Sequence, residues 1–381
     1  MPATSTGHVA SRRGERGFAL AAAIFALVVI SALVTGVFFS ARQEARLGLN
    51  SVAYGRALHS AEAGLQNSVA NWNMQTWNSL AVGDSSPISG SMTGGTGSYA
   101  GNVRRLNTQL FLVRSTGSDV TSASQRTVAA LVRLIMVQVN IEGALTAKGN
   151  LKVGGSSFLD GRDASPSGWN CTGVAMDTLP AVTLAASGSI SYSGCNNQSC
   201  LAGDPKVRVD STMTDSTFFK YGTLNWNDLT AMAGITLPGG NYSPAPSGTA
   251  TTCNQGILTN WGDPYHPATV AGCSNYYPII HITGNFKGTQ GYGQGVLMVD
   301  GDLQVTGNFE FYGPVIVRGS FSTAGNGNHF YGGVMAADVD LSQNSVLGNA
   351  VITYSSCVVA NALRASSPGR LMRERSWAEV F

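Results

Sequence analysis

Between Gly295 and Gly325 the chain reads GVLMVDGDLQVTGNFEFYGPVIVRGSFSTAG, with glycine at 295, 301, 307, 313, 319 and 325, six apart without a miss. The second and fourth residues of each interval are Leu297 and Val299, Leu303 and Val305, Phe309 and Phe311, Val315 and Val317, Phe321 and Thr323. Period two predicts short strands with one buried face. Glycine between them frees the backbone where the chain must turn. Repeated short strands at fixed spacing predict a β-solenoid-like body whose coils stack their apolar residues. A meander of tight hairpins is the alternative, because Asp300-Gly301 is also a hairpin signal. Hairpins of this size are cramped, which favours stacking.

The same spacing occurs earlier. IEGALTAKGNLKVGGSSFLDGR places Gly143, Gly149, Gly155 and Gly161 six apart, with Leu145 and Ala147, then Leu151 and Val153, in the inward places. The third unit slips, Ser157 taking an apolar place beside Leu159. Two blocks with one spacing predict a single stacked body over 140–360. The intervening 163–278 reads as an irregular insertion with Pro-rich turns such as LPGGNYSPAPSG. VLGNAVITYSSC continues the strand pattern, and the tail 361–381 reads as a short helix opened by Pro368.

Phe18 to Ser40 is 23 residues without a charge. As a helix it spans roughly 34 Å, enough to cross a bilayer. It is too long for the apolar part of an ordinary cleaved signal, and no A-x-A site follows it. Arg12, Arg13 and Arg16 favour a cytoplasmic N-terminus, but Arg42, Arg46 and Arg56 on the other side blunt the charge rule. Beyond the span, Tyr54, Leu58, Ala61, Leu65, Val69 and Trp72 recur at helical spacing. An amphipathic helix over 41–75 therefore continues the apolar one, weakened at Gly48, Gly55 and Gly64. Residues 83–101 read as a Gly/Ser linker. Over 102–138, LFLV and RTVAALVRLIMVQV read as strands of a small sheet on which the helix packs. The fold class is α+β.

All six cysteines (Cys171, Cys195, Cys200, Cys253, Cys273, Cys357) lie on one side of the span. An even number in a chain with 47 glycines and 12% charged residues points to disulfides in an exported, β-rich body. Cys195 and Cys200 are spaced to close a small loop; the other pairings stay open. Their spacing lacks the paired knuckles of a zinc site, and no cofactor or metal is expected. Catalytic residues are not expected either. The histidines, at 8, 59, 266, 281 and 329, are scattered. Asp263, Tyr265 and His266, in WGDPYHPA, read as a turn. Asp160 with Asp163, and Asp300 with Asp302, flank glycines. Solvated turn carboxylates are the ordinary reading of such pairs, with Ca²⁺ ligation or glycosidic acid/base chemistry the sharper ones. Trp169, Trp226, Trp261, Tyr276, Tyr277, Tyr312, Phe330 and Tyr331 either pack the body or form a binding face.

ERGFALAAAIFALVVISAL resembles the type IV prepilin signature, a basic leader ending in glycine before a long apolar helix. LGLNSVAYGRALHSAEAGL resembles the N-terminal segment of PilX-type minor pilins, with Asn50, Ala57, Ala61, Glu62, Ala63 and Leu65 in the matching places. The two matches cover about residues 12–66. The resemblance implies a leader of residues 1–17, removed by a prepilin peptidase between Gly17 and Phe18, and a helix that later packs with other pilins. It implies an inner-membrane anchor and an exported body displayed on a pilus, pseudopilus or cell surface. The glutamate that major pilins carry at the fifth mature position is Ala22 here, which points to a minor, initiating or tip subunit. Loss of the leader takes 23 basic residues to 20 and 21 acidic residues to 20. A neutral body gives no electrostatic reason to expect nucleic acid. A membrane-anchored adhesin and a polysaccharide-active enzyme are the alternative roles.

Overall fold

The computed structural model describes residues 16–121, 124–171, 177–337, 344–372 and 377–380. Helix α1 (Arg16–Ala70) is one continuous helix of 55 residues. It has no break at its glycines: the cost of each, about 1 kcal/mol, is small within so long a helix. At Gly64 an added Cβ would strike Tyr99 and Ser115, so this glycine lets the sheet approach the helix. Gly48 and Gly55 have open space around them.

The second half of α1 lies on an antiparallel sheet of β1 (Ser85–Ser91), β2 (Gly97–Arg105), β3 (Leu110–Asp119) and β4 (Gln125–Leu134). Ala61 and Leu65 of the helix, and Trp72 just beyond its end, share a core with Val103, Phe111, Val113, Val128 and Val132. The stretch 83–101 is therefore a hairpin, not a linker. Two of its glycines permit close approach: a Cβ at Gly97 would meet Ser60 and the Ser118 backbone, and one at Gly101 the Arg114 carbonyl, while Gly94 and Gly95 take positive φ in the turn. The tail also differs from expectation. Gly369–Leu371 and Trp377–Val380 pair antiparallel with β4. The final helix lies earlier, at Ser356–Ala365, where strand had been expected, and it ends ahead of Pro368.

The rest is a stacked body. Among the described residues, one sheet of 17 strands carries it, and every pairing in that sheet is parallel. Parallel pairing excludes the hairpin meander. Leu297 pairs with Val315, three six-residue units further on. One inward column runs Ile235, Ile280, Leu297, Val315, Val334, Leu145, Val182 and Val207, each paired with the next. A second runs Phe286, Leu303, Phe321, and a third Phe311, Phe330, Ile352, Leu159, Leu201. The inward residues expected from the spacing, Phe309 and Thr323 included, are buried.

The early block joins this stack directly, Val334 pairing with Leu145 and Ile352 with Leu159. The segment 163–278 is not wholly irregular. Val182–Ala185, Ile190–Ser193 and Val207–Asp210 extend the stack at one end, and Ile235–Leu237 and Gly240–Tyr242 at the other. Residues between these two groups cross over the outside. Phe218, Tyr221, Trp226 and Leu229 from this crossover, with Val359 and Leu363 of the final helix, cover Val296, Met298, Ile316 and Met335. That face is buried on both sides, which accounts for runs such as VLMV that are apolar at every position.

The repeating glycines stack too. Gly313 lies on Gly295 and Gly332 on Gly313, while Gly348 lies on Gly325. A Cβ at Gly313 would collide with the Gly295 carbonyl, and φ there is +145°; at Gly348 a Cβ would collide with the Gly325 carbonyl at φ +85°. Gly313→Ala or Gly348→Ala should therefore cost about 2 kcal/mol or more. Gly48→Ala, in open helix, should be neutral or stabilise by up to about 1 kcal/mol. Thermal unfolding of the detergent-solubilised chain checks both, and equal effects at the two kinds of site would contradict the stacking account.

Candidate functional site

The first half of α1 carries no partner among the described residues. Phe18 is 81% exposed, Phe25 71% and Leu33 64%. The helix is long and apolar enough to cross a membrane, and none of its most apolar stretch is buried. Water is a poor neighbour for such a surface, which needs lipid or other apolar helices. Gly17 and Phe18 lie in the first turn of the helix. Residues 1–15 of the expected leader lie outside the described residues. Ala22 is exposed within this stretch.

The residues of the A-x-x-AEA-x-L segment divide by packing. Ala57, Ala61 and Leu65 are buried. The Ala57 carbonyl and Ala61 amide sit against Gly117 of β3 so closely that a Cβ there would overlap them. Small residues on helix and strand together bring the two backbones near. Asn50 is exposed, Ala63 half-buried, and Glu62 sits 3.6 Å from His59 Nδ1. Lower on the sheet, Arg126 lies over the Tyr54 ring at 4.1 Å, and the Tyr54 hydroxyl donates to Glu379 of the last strand.

All six cysteines are paired: Cys171 with Cys357, Cys195 with Cys200, and Cys253 with Cys273. The first pairing ties a loop outside the stack to the final helix. The sequence carries no signal for it, because the partners are 186 residues apart.

The carboxylates singled out from the sequence serve local structure. Asp263 is fully buried and accepts from the Tyr265 and Val270 amides and the Thr269 hydroxyl. His266 points elsewhere, its Nδ1 3.1 Å from the Pro264 carbonyl. Asp160 pairs with Arg162, and Asp163 accepts from the Ser356 amide and hydroxyl. Asp300 lies between His281 at 3.0 Å and Arg318 at 3.8 Å, and Asp302 accepts from Ser320. No group of three or more His, Cys, Asp or Glu side chains converges as metal ligands among the described residues.

The aromatics separate into two sets. Trp226, Trp261, Tyr276 and Phe330 are buried. Trp169, Tyr312 and Tyr331 form a stack on the outer side of one face, with centroids 5.9 and 4.7 Å apart. The ladder register produces it, because Tyr312 pairs directly with Tyr331. Tyr312 is thus in a strand, one residue ahead of the corner at Gly313. Its hydroxyl donates to Glu310, and Tyr265 packs on Tyr292 beside it. Burial, then the Glu310 charge, pushes the Tyr312 and Tyr265 phenols well up. Glu310 and Tyr292 were missed from the sequence; Glu310 falls between Phe309 and Phe311, whose inward places were recognised, whereas Tyr292 lies ahead of the hexad run.

No family model matches the chain, and no curated protein matches it. Among solved structures, the competence-associated pilin ComZ from Thermus thermophilus aligns at 12% identity, covering 86% of this chain and 97% of that one. The TM-score is 0.26, too loose a superposition to transfer a fold or a role.

Burial pushes the phenols of Tyr276, Tyr277 and Tyr354 up to about 12; at Tyr277 the Arg364 charge opposes the rise. A phenol held neutral in the fold supports stability fully below its unfolded value near 10. That support is lost as pH climbs from 10 through 12, where the unfolded chain ionises first. Absorbance at 295 nm should show native tyrosines resisting ionisation in this window while stability falls; complete ionisation of the native chain by pH 10 would contradict it. Loop length separates the disulfides. Replacing Cys171 and Cys357 by serine should cost about 5 kcal/mol, and Cys195 with Cys200 about 2 kcal/mol, on the chain-entropy relation. Denaturant titration of the two double variants tests the order.

Proposed function

We propose that the chain is a pilin-like structural subunit, a PilX-type minor component of a type IV pilus or related pseudopilus. The observation that carries this is the division of one 55-residue helix into a bare apolar half and a half packed on a sheet. A helix so divided is suited to two successive homes, the bilayer before assembly and a bundle of like helices after it. Both offer apolar contact, so transfer exchanges one apolar surrounding for another. The prepilin-like residues around Gly17 and Phe18, and the PilX-like segment from Asn50 to Leu65, support the same role.

In this role a prepilin peptidase cuts after Gly17 at the inner membrane. The freed helix packs with other pilins, and the body, read as a β-solenoid stapled by disulfides, is displayed outside as structure rather than as a catalyst. The missing carboxylate at Ala22 fits a minor or tip subunit, since an uncharged helix brings no intramembrane carboxylate for a neighbour to neutralise.

Mass spectrometry of the mature protein from sheared filaments should find an N-methylated Phe18, and Gly17→Val should leave the leader attached. An intact leader on the working protein would remove this function. A processed chain on the cell surface that never co-purifies with filaments would instead make it an anchored adhesin.

A further inference from the structure

A cleft runs where the helix-bearing sheet meets the body. Two cavities, of about 330 and 250 Å³, share Met74, Gln75, Asn275, Tyr277 and Ala365 in their walls and so form one groove. Its lining holds Arg105 and Arg364 but neither aspartate nor glutamate. Arg105 is buried, and its guanidinium donates only to neutral carbonyls, those of Asn78, Leu80, Asn107 and Thr108. Arg364, exposed at the end of the final helix, donates to the Asn361 side chain. Neither arginine lies within ion-pairing distance of a carboxylate among the described residues. Burial, together with the Arg364 charge, lowers the Arg105 pKa, so the two cations repel each other across the groove. An anion placed between them would relieve that repulsion.

The remaining lining says what kind of anion. Gln75, Gln255 and Asn275 are amides that carry a donor and an acceptor together, as sugar hydroxyls require, while Asn71 donates to Asn67 and offers its oxygen, and Asn73 caps the Thr76 amide and offers its nitrogen. Trp169 supplies a half-buried ring, fixed by donation from its Nε1 to the Pro264 carbonyl at 2.9 Å and packed on Tyr312. We propose that this groove binds an acidic sugar of the uronic-acid class, the carboxylate meeting the arginines and the hydroxyls meeting the amides. A peptide strand is less well served, because the walls are helix ends and loops rather than an unpaired strand edge. A nucleic acid would call for a longer row of cations than two. The inference does not depend on filament assembly.

Calorimetry on the full chain in detergent, titrated with trigalacturonate and with neutral galactotriose, tests it. The acidic trisaccharide should bind at least roughly tenfold more tightly than the neutral one. Arg364→Gln, at an exposed position, should weaken it roughly tenfold while leaving thermal unfolding unchanged. Asn275→Ala should weaken it without altering the charge. Absence of binding at millimolar ligand, equal affinity for the neutral sugar, indifference to Arg364→Gln, or equally tight binding of hexaglutamate would each overturn the proposal.

Discussion

Everything outside the N-terminal unit depends on one contact, backbone lying directly on backbone at the corners of the stack. Parallel strands in register carry their turns along with them, so each corner must sit on the corner beneath. Gly332 on Gly313 on Gly295 is such a column, and Gly348 on Gly325 another. No side chain fits between these layers. The glycine spacing therefore follows from the spacing of the corners, and the apolar columns follow from the glycines. Phe311, Phe330 and Ile352 meet because their corners do.

The second constraint is the joint between helix-bearing sheet and body. Asn78 accepts from Trp72 Nε1 at 2.8 Å and donates through its amide toward the carbonyls of Arg364, Ala365 and Ser367. It links the end of α1 to the end of the final helix. Arg105 ties four carbonyls of adjoining loops around one charge. The chain end then returns to β4, so the first and last parts of the sequence share one sheet. A buried cation held by neutral dipoles is a costly way to build a joint unless its charge also serves a ligand.

What could be read in the sequence was what repeats locally. The hexads put Leu297, Phe309 and Val317 inside because strand period and turn spacing are local properties. Val182 and Ile235 belong to the same column, but their strands are short and lie among loops, and their partners Leu145 and Ile280 are distant in the chain. Gly97 and Gly101 misled for another reason. Glycine serves both flexible linkers and tight packing, and only the neighbour across the gap, Ser60 or Arg114, distinguishes them. In the groove, Arg105 and Arg364 are separated by most of the chain, so no spacing could pair them. The aromatics were visible, but the side of the strand each one takes followed from register: Phe311 and Tyr312 are neighbours on opposite sides of one strand, Phe311 in the inner column and Tyr312 buried between Trp169 and Tyr331.

The bare half of α1 has to be considered with this rigid frame. Burying a large apolar side chain is worth about 1.5–3 kcal/mol, so covering even a row such as Phe25, Leu33 and Phe38 is comparable with the marginal stability of a domain. The packed half cannot fold back to cover it, because Ala57 and Ala61 hold the helix against Gly117 at backbone distance, and the helix continues unbroken from that clamp. Among the described residues nothing covers it, so cover must come from elsewhere. The uncharged stretch from Phe18 to Ser40 favours no particular depth or partner register by charge. In the proposed assembly, the position of the subunit is then set by how closely neighbouring helices pack and by where the clamp at Ala57 places the bulky body, which can stand only beyond the bundle.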